Sequence, residues 1–168
     1  MPNLTKTERA YLAGLWDGEG SITLWKHIRK ESGKPRLIAS LVFTNTNLEM
    51  IDFVQSKLED SGATFHRHKS SFKGRSKDCY QLTSRNRESV ERTIKILMPY
   101  LIAKKEQAQI VLAFVRSRKE QMKKTKGRPS NTTKYTSKEF EMEQNIRGLI
   151  NLVRKNPQRL NVRLSKER

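Results

Sequence analysis

Glu19 is the residue of this chain best placed for chemistry: a lone carboxylate set between Gly18 and Gly20, at the end of the run Leu12-Ala13-Gly14-Leu15-Trp16-Asp17. Carboxylate oxygens suit hard cations such as Mg²⁺, which keeps several waters and needs only one or two protein oxygens beside a bound phosphate. Glu19, with the carbonyl of Gly18 as an additional oxygen, is the candidate metal ligand. The competing reading is a helix stop and tight turn, with Gly18 and Gly20 at positive φ and Glu19 merely solvated. Other site chemistries lack their residues. His66 and His68 lie two apart, with no cysteine or acidic cluster to complete a four-ligand zinc set. Neither a glycine-rich phosphate loop nor a Ser/His/Asp arrangement with motif context occurs.

The elements that position Glu19 follow from pattern. Thr5 and Glu8 have the T-x-x-E spacing of a capping box, which predicts a helix starting near Lys6. Along it Ala10, Gly14 and Gly18 recur every fourth residue, a stripe almost without side chains. Glycine in a helix costs about 1 kcal/mol against alanine, so the stripe predicts close approach of another helix, at the short end of the ~8–10 Å interaxial range. No second copy of the stripe occurs in the chain. The partner helix is therefore expected from a second copy of the chain, a homodimer with Ala10, Gly14, Asp17 and Gly18 at the interface.

After Ser21 the period changes from helical to alternating. Ile22, Leu24 and Ile28 share one face of a strand, and Ser21, Thr23, Trp25, His27 and Arg29 the other. Beyond the turn Glu31–Pro35, a second strand from Arg36 to Thr44 turns Leu37, Ala39, Leu41 and Phe43 inward. Thr46 and Glu49 repeat the capping-box spacing before a helix that ends near Gly62. A second hairpin is expected over Ala63–Ser70 and Lys77–Ser84, joined by a basic loop with Lys73, Gly74 and Arg75. Asn86 caps a third helix ending before Pro99, and Ala103–Gln121 is helical, with Ala108, Val111, Leu112 and Val115 inward. Thr136 and Glu139 open a last helix. The order helix, hairpin, helix, hairpin, helix reads as an α+β sandwich with helices on one face of a sheet.

The segment Leu12–Gly20 resembles the signature of the LAGLIDADG homing endonucleases. Leu12, Ala13, Gly14, Leu15, Asp17 and Gly20 match it directly, while Trp16 replaces an aliphatic residue, Gly18 another small one, and Glu19 an aspartate. The element order matches as well, over roughly residues 5–120. The resemblance implies an αββαββα core whose two hairpins form a DNA-binding sheet, here with additional C-terminal helices. It also implies a metal-dependent double-strand break across the minor groove, leaving short 3′ overhangs. One-motif members act as homodimers. The cofactor is expected to be Mg²⁺, with Mn²⁺ as the alternative, and no small-molecule cofactor is expected. Carried over residue by residue, the catalytic set is Glu19, Asn47 as a water-positioning side chain, and Lys104 beside the scissile phosphates, with Lys105 as its competitor. Helix capping is the alternative role for Asn47. A second basic residue that some members carry early in the second helix is absent, since Ile51 falls near that position. The open sheet face would read base edges in the major groove. Its candidate contacts are Thr23, Trp25, His27, Arg29, Arg36, Ser40, Thr44, Arg67, Lys69, Lys77 and Gln81.

Composition points to the same kind of partner. Thirty-five Lys and Arg against seventeen Asp and Glu give a formal charge of +18 over 168 residues, which favours a polyanion. No apolar run nears the roughly 20 residues of a membrane span. With one cysteine, Cys79, there is no intramolecular disulfide, which fits an intracellular protein. We expect an endonuclease core over 1–122, a basic linker or DNA-contacting loop over 123–135, and a C-terminal helix and basic tail over 136–168 packed on the same domain. The runner-up function is a non-cutting nucleic-acid-binding protein on this fold, such as an intron splicing cofactor (maturase).

Overall fold

The computed structural model describes residues 4–70, 78–124 and 134–155. Nine elements follow in the order α1 (Lys6–Glu19), β1 (Gly20–Ile28), β2 (Pro35–Asn45), α2 (Leu48–Asp60), β3 (His66–Ser70), β4 (Cys79–Ser84), α3 (Arg87–Leu97), α4 (Lys105–Lys124) and α5 (Ser137–Lys155). The strands form one antiparallel sheet in the order β1-β2-β4-β3, the α+β architecture expected from the pattern. The basic loop around Lys73–Arg75, Lys77, most of the linker and the basic tail lie outside the described residues.

Helix starts are set by side-chain caps. Thr5 forms the full capping box with Glu8. Asn86 accepts from the N–H groups of Glu88 and Ser89 to start α3. Thr136 and Glu139 form the reciprocal pair at α5. At the second helix the capping alternative for Asn47 holds: Asn47, and not Thr46 of the T-x-x-E spacing, is the N-cap, accepting from the Met50 N–H at 3.2 Å. Gly62, at φ +83, follows its C-cap. β3 also begins later than Ala63, because the Thr64 N–H is taken by the Ser89 hydroxyl at 2.9 Å rather than by a neighbouring strand.

One face of the sheet carries the core. Ile22, Leu24, Leu37, Ala39, Leu41, Phe43 and Leu82 pack in a single cluster with Leu12, Ala13 and Trp16 of α1, Ile51, Val54 and Leu58 of α2, and the inner stripes of α3 and α4. α5 packs against α4 and β1. The α4–α5 contact contains an ion pair between Arg118 and Glu139, 3.5 Å apart and each 1% exposed. Glu139 also accepts from Ser117 and from the Thr136 N–H, so its burial is matched by hydrogen bonds.

The junction from α1 to β1 is tightest. Trp16 is fully buried between Phe43 and Phe65, with ring centroids 5.5 and 6.1 Å away. A Cβ added at Gly20 would sit 2.4 Å from its ring. Gly20 has an ordinary extended backbone (φ −83, ψ 165), so it is glycine for space, and the turn with positive φ does not form. Gly14 and Gly18 are the opposite case: a Cβ at either meets nothing within 4 Å. Gly20→Ala is therefore expected to destabilise the fold by about 1–3 kcal/mol through overpacking, whereas Gly14→Ala leaves the subunit as stable or raises its stability by up to about 1 kcal/mol. Equilibrium urea unfolding of both variants checks this.

Candidate active site and nucleic-acid interface

Asp17 and Glu19 lie in the last turn of α1, which contains no basic residue. Two acids at a helix C-terminus oppose the macrodipole, a placement that costs free energy and is not explained by helix stability. The compensation comes from the segment leading into α4. The Asp17 carboxylate accepts from the backbone N–H groups of Ile102 at 2.7 Å and Lys104 at 3.0 Å. The Lys104 ammonium returns to donate to the Asp17 carbonyl. Asp17 is thus used within the chain, tying the start of α4 to the end of α1. Glu19 is exposed, two residues beyond Asp17.

Lys104 is half-buried beside this end. Burial pushes its pKa below the usual lysine value, and the charges of Asp17 and Glu19 partly oppose that shift. Lys105, the alternative candidate, is exposed at the first position of α4. Asn47 caps α2 with its amide oxygen, and its NH₂ is available to donate to another partner. Ile51 is fully buried in the core.

The face of the sheet away from the core is a polar grid whose rows follow from the strand register. Trp25 lies opposite Ile38, and Thr23 opposite Ser40; Ser21, Val42, Thr83 and His66 form one row, and Thr44, Gln81 and His68 the next. His27 pairs with Arg36 at the β1–β2 end. The rings of Trp25 and His27 meet edge-on at 5.7 Å, and the Arg85 guanidinium lies 5.9 Å from the Trp25 centroid. Ser40, at the centre, is only 3% exposed. Arg29 lies just beyond the end of β1.

Arg67 and Lys69 do not belong to this face. Arg67 pairs with Leu82 and Lys69 with Tyr80, both on the helix side. The Arg67 guanidinium is held by Asp52 at 2.5 Å and by Gln55, and Lys69 by Asp78 at 2.8 Å. A one-residue change of parity moves every side chain of a strand to the other face. The signal was available: Ala63 and Phe65, both buried, share the parity of Arg67 and Lys69. His66 and His68 take their place and, with Gln81, Thr83, Arg85 and Asn86, line a pocket of about 290 Å³. Lys77 lies outside the described residues.

The profile of the LAGLIDADG-like domain matches residues 6–98 of the sequence. The chain belongs to the LAGLIDADG family. No curated protein sequence matches it. Its fold is similar to that of the homing endonuclease I-CvuI, solved in complex with a DNA target. The two share 18% identity over 84% of this chain and 95% of that one, with a TM-score of 0.55. The archaeal intron-encoded endonuclease I-Vdi141I, also in complex with DNA, is 18% identical over 85% of this chain and 96% of its own, at 0.53. The meganuclease I-CpaMI, bound to uncleaved DNA, is 16% identical over 84% of this chain but only 49% of its own, at 0.56. At these identities the likeness is one of fold.

A LAGLIDADG site built on Glu19 fits a hard divalent ion only in part. No group of three or more His, Cys, Asp and Glu side chains that could hold a metal occurs among the described residues, so Glu19 would offer an oxygen donor and not a cage. That donor set suits Mg²⁺, which completes its shell with waters and phosphate oxygens. The Lys104 environment is directly measurable. Its ammonium is expected to titrate below Lys57 and Lys69, which Glu8 and Asp78 hold above the usual lysine value. Asp17→Asn should lower it further. The folded pKa lies below the unfolded one, so the charged form is disfavoured in the fold, and that penalty is relieved as pH rises through the folded pKa. Side-chain NMR titration of the lysines checks both the order and the Asp17 effect.

Proposed function

We propose that the chain is a homodimeric, divalent-metal-dependent homing endonuclease that makes a double-strand break in a long near-palindromic DNA target. The observation that carries this reading is the end of α1: an exposed Glu19, costly at a helix C-terminus, next to a half-buried lysine and a bare stripe of small residues. Dimerisation is supported by that stripe, with exposed Ala10, Gly14 and Gly18, where a second α1 can approach closely. It is supported too by coverage, since one such chain spans nearly all of I-CvuI and about half of I-CpaMI.

In this reading each subunit addresses one strand. Glu19, with the Gly18 carbonyl, would hold the ion, which when bound supplies an activated water and neutralises the departing oxygen. Mg²⁺ is the proposed ion, as I-CvuI–DNA complexes were formed with Mg or with Ca. Lys104 would stabilise negative charge on the scissile phosphate, its ammonium held at the end of α1 by donation to the Asp17 carbonyl. The NH₂ of Asn47 orients water. Asp17 holds the α1 end and the α4 start in fixed relation, which keeps Glu19 and Lys104 together. The polar grid of the open face, Thr23, Trp25, His27, Thr44 and Gln81 with His66, His68 and Arg85, reads base edges in the major groove.

The test is cleavage of a randomised duplex library with Mg²⁺ by the wild type and by Glu19→Gln. We expect cutting at a near-palindromic site by the wild type. The variant should bind the same site and cut at least about 100-fold more slowly, from the loss of several kcal/mol of metal-derived stabilisation. Binding without cutting by both proteins would replace this reading with that of a splicing cofactor. Gly14→Leu should yield monomers by sedimentation velocity while the chain stays folded, because a Cβ added at Gly14 meets no packed neighbour within 4 Å.

A further inference from the structure

A second cationic site lies away from Glu19, where β2 runs on past the end of β4. The register between these strands ends at Leu41 and Ser84, so residues 35–40 of β2 lose their neighbour on that side. Tyr135 fills part of the gap, its hydroxyl donating to the Leu37 carbonyl at 3.4 Å. Arg118 stacks over the Tyr135 ring at 4.5 Å. Arg87, the first residue of α3, is half-buried in the same place, and its guanidinium donates to the Met122 sulfur at 2.7 Å. A thioether is a weak acceptor for a charged donor with five N–H groups.

The charges here do not balance. Glu139 is the acid of the cluster, and its oxygens are committed to Arg118, Ser117 and the Thr136 cap. No carboxylate forms an ion pair with Arg87 or with the exposed Arg36 among the described residues. Burial first and then the Arg118 cation push the Arg87 pKa below its usual value, with a smaller push from Arg36, while Tyr135 and Glu139 oppose the shift without cancelling it. A half-buried guanidinium facing like charges is costly unless an anion completes it.

We infer that Arg87 and Arg36, at the edge of β2 beside Tyr135, form a seat for a tetrahedral oxyanion, occupied in use by a backbone phosphate of DNA. Guanidinium forks match two oxygens of a phosphate at once. Arg36 stands at the rim in the row of His27 on the open face, so a strand lying across the grid passes the seat at its margin. The contact carries no base information; it fixes register and adds affinity. That the oxyanion comes from DNA rests on the DNA-binding reading above, whereas the seat itself does not.

The experiment compares wild type, Arg87→Gln and Arg36→Gln in two arms. In the first, thermal melting is followed in sodium phosphate against sodium chloride at equal ionic strength. Phosphate should raise the wild-type midpoint and raise that of Arg87→Gln less, while in chloride Arg87→Gln melts no lower than wild type because it removes repulsion. In the second, binding to a duplex of arbitrary sequence is measured against salt. Each variant should reduce the slope of log K against log salt by about one, and the ranking of target sequences should stay unchanged. Equal phosphate effects in wild type and Arg87→Gln, or a lower melting point of Arg87→Gln in chloride, would overturn the seat. A selective phosphate effect with unchanged slopes would overturn DNA as its occupant. If the wild type bound no duplex at all, the functional reading would fail while the first arm still decided the seat.

Discussion

The structure depends on the contact between Trp16 and the empty side of Gly20. An indole of that size at the end of a helix can be buried completely only if the chain leaves the helix without a side chain beneath it. Gly20 provides that space, and β1 therefore starts at once, under the ring. Phe43 of β2 and Phe65 before β3 close around the same indole, so one packing event fixes α1 against both hairpins. Glu19, the residue between ring and strand, has its backbone position set by neighbours that cannot move independently. The Glu19 carboxylate is thus carried by a core contact and not by a flexible loop.

That rigidity is extended to the lysine by hydrogen bonding. Asp17 and Lys104 are far apart in sequence, yet the carboxylate spans the backbone of Ile102 and Lys104 while the ammonium returns to the carbonyl of Asp17. The exchange satisfies donors near the start of α4 and places a cation at the negative end of α1. The same groups that relieve the helix-end electrostatics thus hold Lys104 against the end of α1. Elsewhere α4 and α5 are joined by the buried Arg118–Glu139 pair, whose satisfied hydrogen bonds specify their relative position.

The sheet divides the labour between its faces. Inward positions are apolar and continuous with the helices. Outward positions are a mixture of aromatic, hydroxyl, amide, imidazole and guanidinium groups, several of them partly shielded by each other. Such a grid offers hydrogen-bond donors and acceptors at strand spacing, with Trp25 held by His27 and Arg85 rather than collapsed into the core. At its margin Arg87 is half-buried with the Met122 sulfur as acceptor.

The sequence by itself determined the elements and their caps, because periodicity and T-x-x-E spacing are local. Thr5, Asn86 and Thr136 cap as their spacing requires, the inner stripe of α4 is the apolar one, and the signature around Glu19 named the family. It also contained the parity of the second hairpin, in Ala63 and Phe65; the charge of Arg67 and Lys69 does not declare a face, because a long polar side chain can reach an acid from the helix side, as Arg67 reaches Asp52. Only the tertiary structure decided the rest. Asn47 proved to be the cap in place of Thr46 by its contact with Met50, and Gly20 proved to be glycine for the sake of a ring. Asp17 is occupied by residues of a distant turn, and Arg118 and Glu139 meet across two helices. Each of these depends on which segments lie side by side in space, a property of packing that no local spacing carries.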